Sequence, residues 1–376
     1  MTNGRQDDKW KTSAAWRGSQ TAEVNGTKSL CSFSLLQFGI MREVTVGIVS
    51  IGDMGLGIAK LLKTHGYRVV TVGEGRSEHT LARIEAANIT ALPTDDELAV
   101  QADYILSIVP PVNALATAER IAKACMRSET ASRRATLEDV NGQPTRSPLY
   151  LFELNATSSR LAEEIGALFL DPSMPGEDPC KCRVLDGGII GGPPSPNPDG
   201  TWRRPSVVLS GAVDLPPTFA GLADVLNMKV VSARIGAAST LKLSFAALTK
   251  GLTALSILSF STAQQEELLP ELPDHLQQYS PHIAALTSAG VIGMSPKAYR
   301  WVDEMRYIGE AFDREGCWGG VGRSVYDGFA EVYRTVAEDT ILGQERVGAR
   351  QRGTNVEGAV TIIADRRRKQ SGDNGP

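Results

Sequence analysis

The chain has 376 residues, 42% of them hydrophobic and 22% charged, and a formal net charge of -4. That length can bury two cores, the proportions are those of a folded globular protein, and the slight acidity argues against a nucleic-acid partner, whose phosphates call for surplus Lys and Arg.

Residues 1–41 are polar and irregular and read as a disordered extension. Asp7, Asp8 and Glu23 argue against a transit peptide, and the apolar part of this stretch lies too far in for a secretory signal. Met41 stands just before the first strand. "EVTVGIVSI" is a short β-branched run that reads as a buried strand. A helix follows, with Ile58, Leu61 and Leu62 at helical spacing, then a turn at Gly66 and a second strand over 68–72. A helix over 80–87, a strand near 89–91 and a helix opening at "TDDEL" come next, with Thr94 as N-cap and two aspartates in the first turn. "ADYILSIVPP" is a fourth strand, ended by Pro110 and Pro111. This alternation predicts a parallel, doubly wound sheet with helices on both faces.

Polar stretches near 127–148 and 171–183 read as surface insertions on either side of the strand "LYLFEL". "SVVLSGA" and "MKVVSARIG" read as further strands. From 234 the character turns helical: "AASTLKLSFAALTKGLTALSILSFSTAQQEELL" is apolar on nearly every face, as in a helix buried inside a larger assembly. The expected organisation is an α/β nucleotide-binding domain over 42–233, an all-helical domain over 234–343 and a disordered tail over 344–376. No continuous apolar run approaches the roughly 18 residues of a membrane span. Five scattered cysteines argue against a disulfide framework and suit a reducing, cytoplasmic setting; Cys180 and Cys182 form a lone CxC, so no metal site is expected.

The glycine cluster at the first strand–helix junction carries chemistry. A helix opening at such a turn points unpaired N–H groups and the positive end of its dipole outward, which suits a pyrophosphate. Ser50, Ile51, Gly52, Asp53, Met54 and Gly55 form this turn. Gly52 lets backbone approach the phosphates and Gly55 lets helix and strand pack closely, whereas Ser50 stands where the first glycine of the motif is usual. At the end of the second strand Glu74 would suit a ribose 2′-hydroxyl, and Arg76 with Ser77 a 2′-phosphate, so NADP is expected and NAD is the alternative.

In order and spacing, "VGIVSIGDMGLGIAKLLKTHGYRV", "SIVPP", "ELNATSS", "DGGIIGG" and "GAASTLKLSFAALTKG" resemble the β-hydroxyacid dehydrogenases, the group of 3-hydroxyisobutyrate and 6-phosphogluconate dehydrogenases. "SPKAYRWVDEM" is similar to the C-terminal domain of a phosphogluconate dehydrogenase-like branch of poorly known function. The resemblance implies a Rossmann domain, a long interdomain helix and a helical C-terminal domain, with hydride transfer to or from nicotinamide in the cleft between them. It implies Lys242 as general acid or base, with Lys250 as its rival on the same helix. Desolvation on an apolar helix would favour the neutral amine that such a role needs. It further implies that Val109 and Pro110 border the cofactor, and that Asn155, Gly191 and Gly192 approach the substrate. Four residues past the lysine, where the group usually has asparagine, stands Ala246, beside Phe245. That departure implies a bulkier or less polar substrate, and the phosphosugar anchors of the group are missing. Imine reduction and nucleotide sensing without turnover are the competing readings. The apolar long helix implies a homodimer formed through the helical domain.

Overall fold

The computed structural model describes residues 43–136, 148–155, 157–170, 182–346 and 348–370, with side chains as far as 365. The expected N-terminal extension, half of the first insertion, most of the second, Cys180 and the last six residues lie outside these.

The first half alternates as expected. β1 (Thr45–Ile48), α1 (Asp53–Thr64), β2 (Arg68–Val72), α2 (Glu78–Ala86), β3 (Thr90–Leu92), α3 (Asp95–Gln101) and β4 (Tyr104–Ser107) form one continuous run of strand and helix. Thr94 caps α3, its side-chain oxygen accepting from the Glu97 N–H at 3.2 Å. α4 (Ala114–Cys125), α5 (Ser128–Thr136), β5 (Leu149–Glu153), α6 (Ser159–Ala167) and β6 (Cys182–Ile190) follow. A two-stranded ribbon, β7 (Ser195–Pro196) with β8 (Trp202–Arg203), leads into β9 (Ser206–Ser210), α7 (Thr218–Leu226) and β10 (Met228–Ser232).

The strand order is β10-β9-β6-β5-β4-β1-β2-β3. All neighbours run parallel except β6 and β9, which are antiparallel. The expected parallel, doubly wound sheet is present, with one antiparallel pair where the ribbon returns the chain beside the strand it left. β1 and β4 are buried along their whole length, as strands covered on both faces must be. One face packs Ile58, Leu61 and Leu62 of α1 with Leu222, Val225 and Leu226 of α7. The other packs Leu98 of α3, Ala118 and Ile121 of α4 and Ile165 of α6.

The second half is helical: α8 (Ala237–Gln265), α9 (Glu271–Tyr279), α10 (Pro281–Met294), α11 (Ala298–Arg314), α12 (Val321–Asp339) and α13 (Val356–Gln370). α8 passes from the edge of β6 into the third core, where Leu243, Ala247, Ile257 and Phe260 meet Val291, Met305, Ile308, Tyr333 and Val336. α8 is long and apolar enough to cross a membrane by length and composition, yet half of its most apolar 18-residue window is buried inside the protein.

Three sequence expectations are corrected here. Residues 128–136, read as part of an insertion, form α5, which is held by charge rather than by apolar packing. Arg127 and Arg133 pair with Asp96 and Glu97 of α3, and the buried Arg134 donates to the carbonyls of Ala99 and Ala102 at 2.8 and 2.6 Å, satisfying the end of that helix. The tail expected to be disordered carries α13, whose Ala359, Val360 and Ile363 are buried with Leu342 in the third core. The insertion placed at 171–183 also ends early, because Cys182 and Arg183 already pair with Leu149 and Tyr150 in the sheet.

Candidate functional site

At the β1–α1 turn the helix opens without a side-chain cap. Gly52, its N-cap, has φ -72°, and Ser50 is not among the residues with positive φ. Neither position needs left-handed backbone, so serine replaces the first glycine of the motif without strain. A Cβ built on Gly52 meets nothing within 4 Å, whereas one built on Gly55 runs into the Ser50 carbonyl oxygen. An uncapped helix start with open space at Gly52 and a glycine-dependent contact at Gly55 fits a pyrophosphate. Ile51 is buried beneath the turn and Met54 packs partly buried against the same core, while Asp53 is half-exposed and pairs with Arg83 of α2 at 2.8 Å.

Arg76 and Ser77 stand at the end of β2 as expected, and both are engaged by the protein. The Arg76 guanidinium donates to the Val49 carbonyl at 2.9 Å and, at 3.4 Å, to that of Val72. Ser77 caps α2 by accepting from the Thr80 N–H at 3.3 Å.

A row of polar side chains crosses four strands in register, at the carboxyl ends of β4, β5 and β9 and in the middle of β6: Ser107 of β4 opposite Glu153 of β5, Glu153 opposite Asp186 of β6, and Asp186 opposite Ser210 of β9. All four are buried. Burial pushes the Glu153 carboxyl up to about 8 against the pull of its hydrogen bonds, with Asp186 adding to the rise; one of its oxygens has no partner among the described residues. Burial also raises Asp186, although its carboxylate accepts from Ser210 Oγ at 2.9 Å, from the Ser239 N–H at 3.0 Å and from Ser239 Oγ. Ser210 in turn accepts from the Ala238 N–H at 3.0 Å. The first N–H groups of α8 are thus bound to the sheet by two side chains of that row.

Asn155 braces this region. Its Oδ1 accepts from the Val109 N–H at 2.6 Å and its Nδ2 donates to Ser107 Oγ at 3.1 Å, so it joins the ends of β4 and β5. It does not cap α6, for which Ser158 serves. Pro110 follows Val109 directly and opens the turn into α4.

Lys242 lies on the buried face of α8, one turn past Ser239. Its stem rests against β6 at Gly188, where an added Cβ would stand 2.6 Å from the Lys242 Cβ. Its ammonium donates to Glu304 Oε1, from α11, and the ammonium of Lys250 donates to Glu304 Oε2. The three side chains are 11%, 18% and 6% exposed. Burial pushes Glu304 up, but the two ammonium groups outweigh it and hold the carboxyl down at about 2. Burial lowers Lys250 to about 8 against the attraction of the same carboxylate. The Lys250 ammonium also lies 5.1 Å from the centre of the Trp301 ring.

The structure therefore brings Ser50–Gly55 and Arg76 to one end of β1 and β2, and Asn155 to Val109. It sets Gly188, not Gly191 or Gly192, against Lys242: Gly191, with φ 119°, faces Pro205, and Gly192 is open. Glu304, Lys250 as partner rather than rival, and the row of Ser107, Glu153, Asp186 and Ser210 were not found by sequence reasoning. "DGG" at the end of a strand was the only local signal for any of them. Among the described residues no group of three His, Cys, Asp or Glu could hold a metal ion.

Residues 45–129 match the family described as NADP oxidoreductase, coenzyme F420-dependent, and residues 263–336 match a domain of unknown function (DUF1932). A comparison with the curated proteins found no match. Similar solved structures include a conserved hypothetical protein from Sinorhizobium meliloti 1021 (16% identity, TM-score 0.54, covering 87% of this chain and 97% of that one). They also include the 3-hydroxyisobutyrate dehydrogenases of Mycobacterium tuberculosis (14%, 0.52, 78% and 99%) and of Salmonella typhimurium (18%, 0.51, 85% and 100%). At these identities the likeness defines the fold, which is the one these dehydrogenases have. Residues 45–129 thus match an NADP-dependent oxidoreductase family, and the chain as a whole has the hydroxyacid dehydrogenase fold. The chain joins the stretch that matches that oxidoreductase family to one that matches DUF1932, and the resemblance read from the sequence holds at the level of these matches and the fold.

Proposed function

We propose that the protein transfers a hydride between NADP and a β-hydroxyacid or related carbonyl compound, with Lys242 as general acid or base. The observation that carries this reading is a lysine buried on the first turns of α8, against the strand ends where doubly wound sheets take their ligands. Bound nicotinamide would supply or accept the hydride. Residues 50–55 would hold the pyrophosphate on the uncapped start of α1, and Val109 and Pro110 would flank the nucleotide. Arg76 would meet a 2′-phosphate by exchanging the Val49 carbonyl for it. Lys242 would give a proton to, or take one from, the substrate oxygen. Asn155, with Oδ1 and one Nδ2 hydrogen engaged, has at most one donor left for a substrate.

Retention of a lysine at this position favours hydroxyacid chemistry over imine reduction. The reading without turnover draws support from Arg76 and Lys242, both engaged by the protein itself.

The test has two stages. Fluorescence titration should show NADPH binding more tightly than NADH, and binding of neither would end the reading. A screen of small and bulky hydroxyacids, ketoacids and imines should then give turnover that Lys242→Ala lowers by about 100-fold or more without weakening NADPH binding. Turnover unaffected by that substitution would remove Lys242 from the chemistry, and no turnover at all would favour the sensor.

The helical half also supports a homodimer. Leu241, Phe245, Leu248, Leu255 and Leu258 form an exposed apolar stripe along α8. At its far end Leu258 also lines an apolar groove of about 350 Å³ with Val325, Phe329 and Val332 of α12. A second copy of the same helix would cover such a stripe on both partners at once.

A further inference from the structure

Lys242, Ala246 and Lys250 follow one another at four-residue spacing on α8, so the two lysines start about 12 Å apart along the helix axis. Their ammonium groups nevertheless converge on the two oxygens of one carboxylate. Ala246 lies between them and is 4% exposed. An amide at that position would be the lysine's neighbour on its own helix. Alanine offers no polar atom, and the polar partner comes from α11 instead. Among the described residues Glu304 pairs with no other charge: each oxygen faces one lysine, and the carboxyl is almost wholly shielded from water. Removing one partner of such a buried set leaves an uncompensated charge.

We propose that Lys242, Glu304 and Lys250 work as one unit, in which Glu304 positions the Lys242 ammonium and Lys250, drawing on the same carboxylate, sets how firmly it is held. The inference deepens the reading of Lys242 as acid or base and rests on it for its catalytic meaning, while the coupling itself stands on geometry. With Lys250 charged, one carboxylate serves two cations and the cluster carries one positive charge in excess. With Lys250 neutral, Glu304 serves Lys242 alone. The groups facing Lys250 are Glu304, Arg300 and the Trp301 ring from α11, and Lys242 from α8; Tyr333 of α12 donates to its backbone carbonyl at 2.6 Å. Arg300 and Lys242 oppose its charge and Glu304 favours it.

Lysine labelled with 13C at Cε and 15N at Nζ allows the test on the free protein, with neither nucleotide nor substrate. The Lys250 signal, assigned by its loss in Lys250→Arg, is followed from about pH 5 to about pH 11. Lys242→Met removes a like charge and leaves Glu304 to Lys250 alone, so the Lys250 midpoint should rise by about one pH unit or more. Glu304→Gln should lower it by about 1–3 units, and the ammonium protons of Lys242, shielded from exchange by the ion pair, should vanish from the spectrum. An unchanged Lys250 midpoint in Lys242→Met would overturn the proposal, and this variant, which keeps the Glu304–Lys250 pair, decides the matter even if Glu304→Gln does not fold. A protein with shifted midpoints and no turnover would sink the oxidoreductase reading and leave the coupled unit standing. Turnover with fixed midpoints would do the reverse.

Discussion

Glu153 ends β5 with a carboxyl group taken out of water on every side. Its ordinary value of 4.5 is raised to about 8, so the folded protein keeps a proton that the unfolded chain gives up. The sign follows: the contribution to stability is complete below about pH 4.5 and is lost as pH rises through about 8. At about 1.4 kcal/mol per unit the loss amounts to a few kcal/mol. Glu153→Gln keeps the shape without the titrating proton, and should therefore unfold at higher urea than the parent at pH 9 but not at pH 5. Equal pH slopes for parent and variant would show that Glu153 titrates as it does in water. No pattern in the sequence announces this residue. The row to which it belongs depends on the register of β4, β5, β6 and β9, strands separated by long connections, and "LYLFEL" by itself reads as any buried strand. Lys242, in contrast, was singled out by its place in "GAASTLKLS", a stretch that resembles the β-hydroxyacid dehydrogenases, and the apolar helix around it agrees with that reading. Its partner was not: Glu304 comes 62 positions later, on another helix. Ser50 was legible as a departure, but only the backbone angles show that the departure costs nothing.

Among the elements, α1 to α3, β1 to β4 and α8 follow directly from apolar period and capping residues. α5 escaped because its anchors are arginines, and a helix held by Arg134 on two carbonyls has no apolar stripe to betray it. α13 escaped because the basic run at its carboxyl end dominates the composition of the tail, although "AVTIIA" supplies the face it buries. The contact between α8 and β6 is the one on which the site depends. Gly188 lets them approach, and an added Cβ there meets both the Cβ and the Cγ of Lys242, at 2.6 and 2.8 Å. Gly188→Ala should destabilise the fold by about 1–3 kcal/mol, as overpacking does. It should also lower turnover more than NADPH binding, since the strain falls on the lysine and not on the β1–α1 turn. Calorimetry and a nucleotide titration on the same sample would check both. An alanine variant as stable as the parent would show that the stem of Lys242 has room to move.

For the whole molecule the open question is assembly, and the α8 stripe makes it measurable. Leu248 is 77% exposed, the most exposed side chain of that stripe. Leu248→Glu should leave the fold intact and turn a dimer into a monomer, seen as a halved mass by light scattering. A parent that is already a monomer would overturn the proposed interface, whereas a variant that stays dimeric would place the contact elsewhere. The division of the chain into a sheet half and a helical half was legible from the change of character near 236. The way the halves are joined was not, because it rests on Ser210 and Asp186 reaching the start of α8 from strands far apart in sequence. That junction has a mechanical consequence. α8 is a rod of 29 residues, about 43 Å long, clamped to the sheet at one end only. A tilt of about 5° at the clamp would swing its free end by about 4 Å while shifting Lys242, near the pivot, by less than about 1 Å. The lysine thus sits where leverage is smallest, and Gln265 where it is greatest. A domain movement, or a second copy gripping the free end, can be large in the helical half and still leave the Lys242 amine nearly at rest.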